Sequence, residues 1–271
     1  MDINFFKTTR ILDGGMGQEL LARGMKPNGT LWSANALLKE EYHQLLLDTH
    51  LDFIKAGADA ITINSYGITP HRLKRHNLDN MFVTLQQKSV AAAKQAIDEM
   101  SSSKKIQIYG CLPPLIGSYY RTVGINRTEA VEIYKKMIQI QERGVDAFIC
   151  ETVTSIEEAQ ILIEATSETS KKVILSFTVD EVDGTILRSG ESLELALNEF
   201  DNSKVDVIAD GPLLEGNIDK HTYYPESITH GAYTRKYSFT YSAGHAVGAG
   251  ANMRELPIYY FVLKSKTQDN T

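Results

Sequence analysis

The chain has 271 residues, 42% of them hydrophobic and 23% charged, with a net charge of −6. This composition suits a globular protein with a substantial core, and the length admits one large α/β domain or two smaller ones. The acidic balance gives no support to nucleic-acid or anionic-membrane binding, which need clustered basic residues.

No apolar run approaches the roughly 18 residues of a membrane span, and the first residues carry no secretory signal. Two cysteines, Cys111 and Cys150, make no disulfide framework. The expectation is a reduced, cytoplasmic protein.

A first strand covers about 10–14 and runs into Asp13-Gly-Gly-Met-Gly17 and the start of a helical pattern. A loop holding Trp32, the only tryptophan, follows. A helix is expected over 39–56, with Leu46, His50, Phe53 and Ile54 near one face, ending at Gly57. Asp59–Asn64 reads as the second strand, 79–99 as a long helix and Ile106–Cys111 as the third strand, stopped by Pro113-Pro114. Thr128 is the expected cap of the next helix, which Gly144 ends. The fourth strand is expected over 145–150, and Ser155-Ile-Glu-Glu158 is a capping box opening the helix after it. Val173–Thr178 is the fifth strand, and Asp183-Gly184 marks a turn. A helix near 191–200 leads to a sixth strand at Val205–Ala209, broken by Gly211-Pro212.

This alternation predicts an α/β fold with a parallel sheet covered by helices. No internal repeat or low-complexity tract is visible. A single domain over 1–271, folded as a TIM (β/α)8 barrel, is favoured over an open doubly wound sheet, because the informative polar residues fall at strand C-termini. Residues 205–271 are irregular, with Ala246-Val247 and Ile258–Leu263 as the only strand candidates. A βαβ unit takes roughly 30 residues or more, so a distorted or incomplete closure is expected at the C-terminal units.

Three glycines in four positions, Gly14, Gly15 and Gly17, expose backbone N–H groups at a strand end beside the fixed anion Asp13. Their spacing is not the G-x-G-x-x-G of a dinucleotide site. The plain alternative is a tight strand-to-helix turn with a capping Asp. Glu151 closes the fourth apolar run, where a barrel strand's terminal acid falls near the site; a salt bridge is its alternative. Asn64 either lines the same pocket or ties down its own loop. Cys150 reads as a core thiol, and Cys111, closing the third strand, as structural or pocket-facing. His221, His230 and His245, taken with Cys111, match no zinc signature, so no metal site and no cofactor are read from the residues.

Several separated segments resemble the homocysteine S-methyltransferase family. They are Leu12–Leu20, Leu31-Trp-Ser-Ala34, Ala56–Tyr66, Leu112–Ser118, Glu151–Ala159 and Ser176-Phe-Thr178 through Arg188-Ser-Gly-Glu191, in order over about 10–208. The resemblance implies a zinc-containing (β/α)8 barrel. It implies methyl transfer to the sulfur of L-homocysteine, giving methionine, from a sulfonium, ammonium or folate donor. A sulfonium donor, S-methylmethionine or S-adenosylmethionine, fits a lone barrel better than folate. By the family pattern Gly14 and Gly15 offer donors to the homocysteine carboxylate, Glu151 and Asp13 lie near its ammonium, and Asn64 lines the pocket.

The departure lies in the metal ligands. The family draws three zinc cysteines from Gly-x-Asn-Cys and Gly-Gly-Cys-Cys motifs. Here the corresponding stretches read Ile208-Ala-Asp-Gly-Pro212 and Ala243–Met253, with Ala251 and Asn252 roughly where the paired cysteines belong. Alanine binds no metal and asparagine is a poor zinc ligand. Little or no methyl transfer is therefore expected, and the alternative is a catalytically inactive barrel that keeps an amino-acid pocket.

Overall fold

The computed structural model describes residues 10–100, 104–180 and 183–200, with the backbone of 207–212 and 260–261. Among the described residues the strands are β1 (Arg10–Ile11), β2 (Ala60–Thr62), β3 (Gln107–Leu112), β4 (Ala147–Val153), β5 (Lys172–Val179), β6 (Val207–Pro212) and β7 (Tyr260–Phe261). The helices are α1 (Met16–Ala22), α2 (Asn35–Leu38), α3 (His43–Lys55), α4 (Pro70–Lys74), α5 (Phe82–Met100), α6 (Arg127–Gln141), α7 (Ile156–Thr166) and α8 (Leu193–Glu199).

Strands β2 to β6 pair in sequence order, all parallel. β1 joins them through a parallel bridge between Leu12 and Ala60. This is the α/β architecture of the (β/α)8 barrel class, with strands added in chain order and helices outside. β7 falls within the predicted Ile258–Leu263 run and pairs antiparallel with β1, Arg10 opposite Phe261. Among the described residues, then, no parallel eighth strand closes the ring. Ala246-Val247 and the three late histidines lie outside the described residues.

Helical periodicity and burial agree. α3 buries Leu46, Leu47, His50, Phe53 and Ile54, and α6 buries Ala130, Val131, Tyr134, Met137, Ile138 and Gln141. Those i, i+3, i+4, i+7 stripes face the sheet. β3 is buried along its whole length, as a strand covered on both faces must be. At Gly110 a Cβ would lie 2.6 Å from both Gln141 Oε1 and the Phe148 ring, so only glycine lets α6 and β4 approach β3 this closely.

Some expected boundaries move. Asn126, not Thr128, caps α6, its side chain accepting the Thr128 N–H at 2.9 Å. Ser155 caps α7 as expected, but Glu158 reaches back to the N–H and hydroxyl of Thr154. β4 runs three residues past Cys150. β6 includes Gly211 and Pro212 rather than breaking at them; Val205 and Asp206 lie outside the described residues.

A recurrence escapes inspection of the sequence. In Gly57-Ala-Asp59-Ala60 and Gly144-Val-Asp146-Ala147 an Asp precedes a strand. Asp59 donates its N–H to Ile11 O at 2.7 Å and accepts the Ile11 N–H at 2.8 Å. Asp146 treats Ile108 alike, at 2.7 and 2.9 Å. Each acid stitches the foot of its strand to the neighbouring strand.

Candidate functional site

The C-terminal ends of β1 to β4 and the loops beyond them form the site. Asp13 follows β1 and is half-buried. It accepts the Thr62 N–H at 2.7 Å and the Thr62 hydroxyl at 3.2 Å. Gly15 opens α1, its carbonyl accepting the Glu19 N–H. Among the described residues neither Gly14 nor Gly15 donates its N–H to a partner, so both donors stay available at the strand end. Gly17 lies under the Trp32 indole, where a Cβ would fall 1.6 Å from Nε1. Trp32 takes a positive φ of 50° and stays 43% exposed beside the glycine turn.

Glu151 sits where β4 departs from regular pairing. Cys150 pairs with Leu175 but Val153 pairs with Phe177, so β4 carries an extra residue. Thr152 adopts φ 58°, an uncommon conformation for a β-branched residue. A bulge of this kind re-aims side chains at a strand end. It leaves Glu151 half-buried and hydrogen-bonded to the Cys111 thiol on the neighbouring strand.

Both acids are shifted upward, and Glu151 acts on Asp13. Burial pushes Asp13 up to about 8, and the Glu151 charge adds to the rise against the Thr62 hydrogen bonds. Burial pushes Glu151 up to about 7, with the Cys111 hydrogen bond pulling the other way. Both therefore hold protons near neutrality, and an arriving cation would favour their charged forms. Burial likewise raises Cys111 well above the usual thiol range, so it is a thiol rather than a thiolate.

Asn64 is buried at the end of β2. Its Nδ2 donates to Ser33 O at 2.9 Å while Oδ1 has no partner, so it ties a loop and keeps one acceptor free. The structure thus brings Asp13, Gly14, Gly15, Asn64 and Glu151 to one end of the sheet. Sequence reasoning missed Tyr66, Arg72, Ser118 and Thr152, which join them. Tyr66 Oη lies 2.8 Å from Ser118 Oγ and also bonds Thr152, and Arg72 stacks on the Tyr66 ring. Their signal was positional: they occupy loops after strands, where barrel sites are built.

A separate cleft of about 1000 Å³ runs between α4, α5, α6 and α7 on the outer face. Its charges pair with one another, as in His71–Glu129 at 3.6 Å and Lys135–Glu168 at 3.0 Å. It does not reach the acids at the strand ends.

The homocysteine S-methyltransferase profile matches residues 10–211, which carry all of these site residues. The chain belongs to the homocysteine S-methyltransferase family. Homocysteine S-methyltransferase of Escherichia coli (strain K12) is 31% identical over 195 residues, covering 66% of this chain and 62% of that protein. Homocysteine S-methyltransferase YbgG of Bacillus subtilis (strain 168) is 30% identical, over 58% of this chain and 54% of its own. The crystal structure of the Escherichia coli homocysteine methyltransferase MmuM in its metallated form superposes with a TM-score of 0.68. It is 26% identical and covers 76% of both chains. The chain spans 54% and 62% of the length of the two curated relatives named here, and the matched region stops at β6.

A structural or thiolate-bound zinc needs cysteine or histidine ligands. The sequence holds two cysteines. Cys150 is sealed in the core and Cys111 is protonated against Glu151. No group of three His, Cys, Asp or Glu side chains fit to hold a metal occurs among the described residues. Two buried thiols do not make a three-thiolate site, and the described residues supply no other cluster of metal ligands. No helix among the described residues is long and apolar enough to cross a membrane.

Proposed function

We propose that this chain binds an α-amino acid of the homocysteine class at the C-terminal ends of β1 and β4. The assigned reaction is methyl transfer from a sulfonium donor, S-methylmethionine or S-adenosylmethionine, to L-homocysteine, giving methionine at a much reduced rate. The observation that carries this reading is the placement of Asp13 and Glu151 at the C-terminal ends of β1 and β4, with the Glu151 charge acting on Asp13. Two acids beside the free N–H groups of Gly14 and Gly15 complement a zwitterion: ammonium toward the acids, carboxylate toward the amides. Oδ1 of Asn64 adds an acceptor.

The reduced rate follows from the nucleophile. A free thiol with a pKa of about 8.5 is roughly 3% thiolate at pH 7, and no residue described here lowers that value. The second reading, a barrel that binds amino acid without turning it over, is favoured by the same count of two cysteines. Residence in the reducing cytoplasm belongs to this proposal, since both cysteines are free.

Calorimetry with L-homocysteine, metal analysis of the purified protein and a labelled-methyl assay test the proposal together. Binding with far less than one zinc per chain and trace or no methyl transfer supports it. Absence of both heat and thermal shift ends the pocket claim. Stoichiometric zinc with full turnover overturns the reduced rate and requires ligands outside the described residues.

A further inference from the structure

Arg72 is a buried cation with no anion among the described residues. It lies in α4, after β2, and is 6% exposed. Nη2 donates to Pro114 O at 3.2 Å and lies 3.5 Å from Ser118 Oγ. The guanidinium sits 5.1 Å from the centroid of the Tyr66 ring. Nε is buried without a partner, and no carboxylate among the described residues pairs with the group. Nη1 also makes no hydrogen bond and is the atom left open to a ligand.

A guanidinium stays charged at every physiological pH, and its donors match a carboxylate in fork geometry. Burying it with only a carbonyl, a distant hydroxyl and an aromatic face leaves much of its lost hydration uncompensated. The position is informative. Tyr66 and Ser118 are half-buried, and the Tyr66 hydroxyl bonds both Ser118 and Thr152, the residue after Glu151. The charges of Arg72 and Glu151 act on the same two side chains, Tyr66 and Cys111. Cation and acid therefore lie close to the same two side chains, though they follow different strands.

We propose that Arg72, with the Ser118 and Tyr66 hydroxyls, is a carboxylate subsite of a cavity at these strand ends and takes the α-carboxylate of an amino-acid ligand. The proposal rests on the reading that the cavity binds amino acids. The carboxylate comes either from the thiol acceptor or from a sulfonium donor that is itself an amino acid, such as S-methylmethionine. The amides of Gly14 and Gly15 serve a second carboxylate if both ligands are held together.

The test is a cycle between residue and ligand, read by calorimetry or competition on the full chain. Wild type and R72M are titrated with L-homocysteine and its decarboxylated analogue 3-aminopropanethiol. They are then titrated with S-methylmethionine and (3-aminopropyl)dimethylsulfonium. R72M should weaken at least one carboxylate-bearing ligand tenfold or more, while its decarboxylated counterpart changes less than twofold. The ligand that shows the loss identifies the source of the carboxylate.

R72K keeps the charge without the fork and should fall between the two; it carries the same comparison if R72M does not fold, as judged by thermal unfolding. Equal weakening of both members of each pair, or wild-type affinity in R72M, overturns the subsite while leaving amino-acid binding intact. If wild type binds neither amino acid, the proposed function fails and the subsite fails with it.

Discussion

Asp13 and Thr62 are joined twice, the carboxyl accepting the Thr62 amide at 2.7 Å and its hydroxyl at 3.2 Å. The acid that faces the cavity is thus also the clamp between the ends of β1 and β2. Its value of about 8 lies far above the unfolded carboxylate, at about 3.9. Between those values the folded state binds the extra proton, so this group's contribution is full below pH 4 and is lost as pH rises through about 8. D13N, which mimics the protonated acid, should gain on wild type as pH rises from about 5 to about 8.5. Thermal unfolding across that range checks it; a constant difference between the two proteins would contradict the raised value.

Glu151 sets the pH dependence of binding. An ammonium ligand needs the carboxylate, and burial holds Glu151 near 7. Affinity for L-homocysteine should rise as pH goes from about 5.5 to about 7.5, approaching tenfold per unit below the Glu151 value. E151Q should bind weakly and lose the Glu151 share of that slope, with Asp13 keeping its own. Calorimetry at four or five pH values decides it, and an unchanged slope in E151Q would assign the dependence elsewhere.

Trp32 reports on the glycine turn. A Cβ on Gly17 would fall 1.6 Å from Nε1 and 2.3 Å from Cδ1 of the indole. G17A must therefore displace the ring or the turn, at a cost of about 1–3 kcal/mol. Because Trp32 is the only tryptophan, its fluorescence should shift red in G17A, and the denaturation midpoint should fall. Wild-type emission with wild-type stability would refute this contact.

A buried amide chain links α5, α6, β3 and the loop after β2. Gln141 Nε2 donates to Gln86 Oε1 at 2.8 Å and to Cys111 O at 3.2 Å, and Gln86 Nε2 donates to Ile68 O at 2.8 Å. Q141L strips donors from buried acceptors and should destabilise by about 1–3 kcal/mol. Replacing both glutamines by leucine should cost less than the sum of the single changes, because the orphaned Gln86 oxygen goes as well. Chemical denaturation of the three variants measures that coupling.

Much of this frame was readable in advance because it rests on periodicity. The stripes of α3 and α6, the apolar run of β3 and the Ser155 cap each leave a local pattern. Asp13, Gly14, Gly15, Asn64 and Glu151 were readable as strand-end residues. Other features leave none. α4 spans five residues and is held by tertiary contacts such as Thr69 Oγ1 to Leu115 O at 2.7 Å. The β4 bulge places Thr at a positive φ that its side chain disfavours, so nothing in Glu151-Thr152-Val153 announces it. Arg72 reads as a surface residue, and its burial becomes visible only when the loops after β2 and β3 close over it.

Asp59 and Asp146 stand at the opposite end of the sheet from the acids that face the cavity. Each locks the foot of its strand to the neighbouring one through a reciprocal pair of bonds with one isoleucine. Alignment of the sheet is thereby secured at its foundation, away from the acids at the other end. A lineage can rewrite the crown, trade one chemistry for another, or let catalysis lapse altogether, without the masonry beneath it losing its courses.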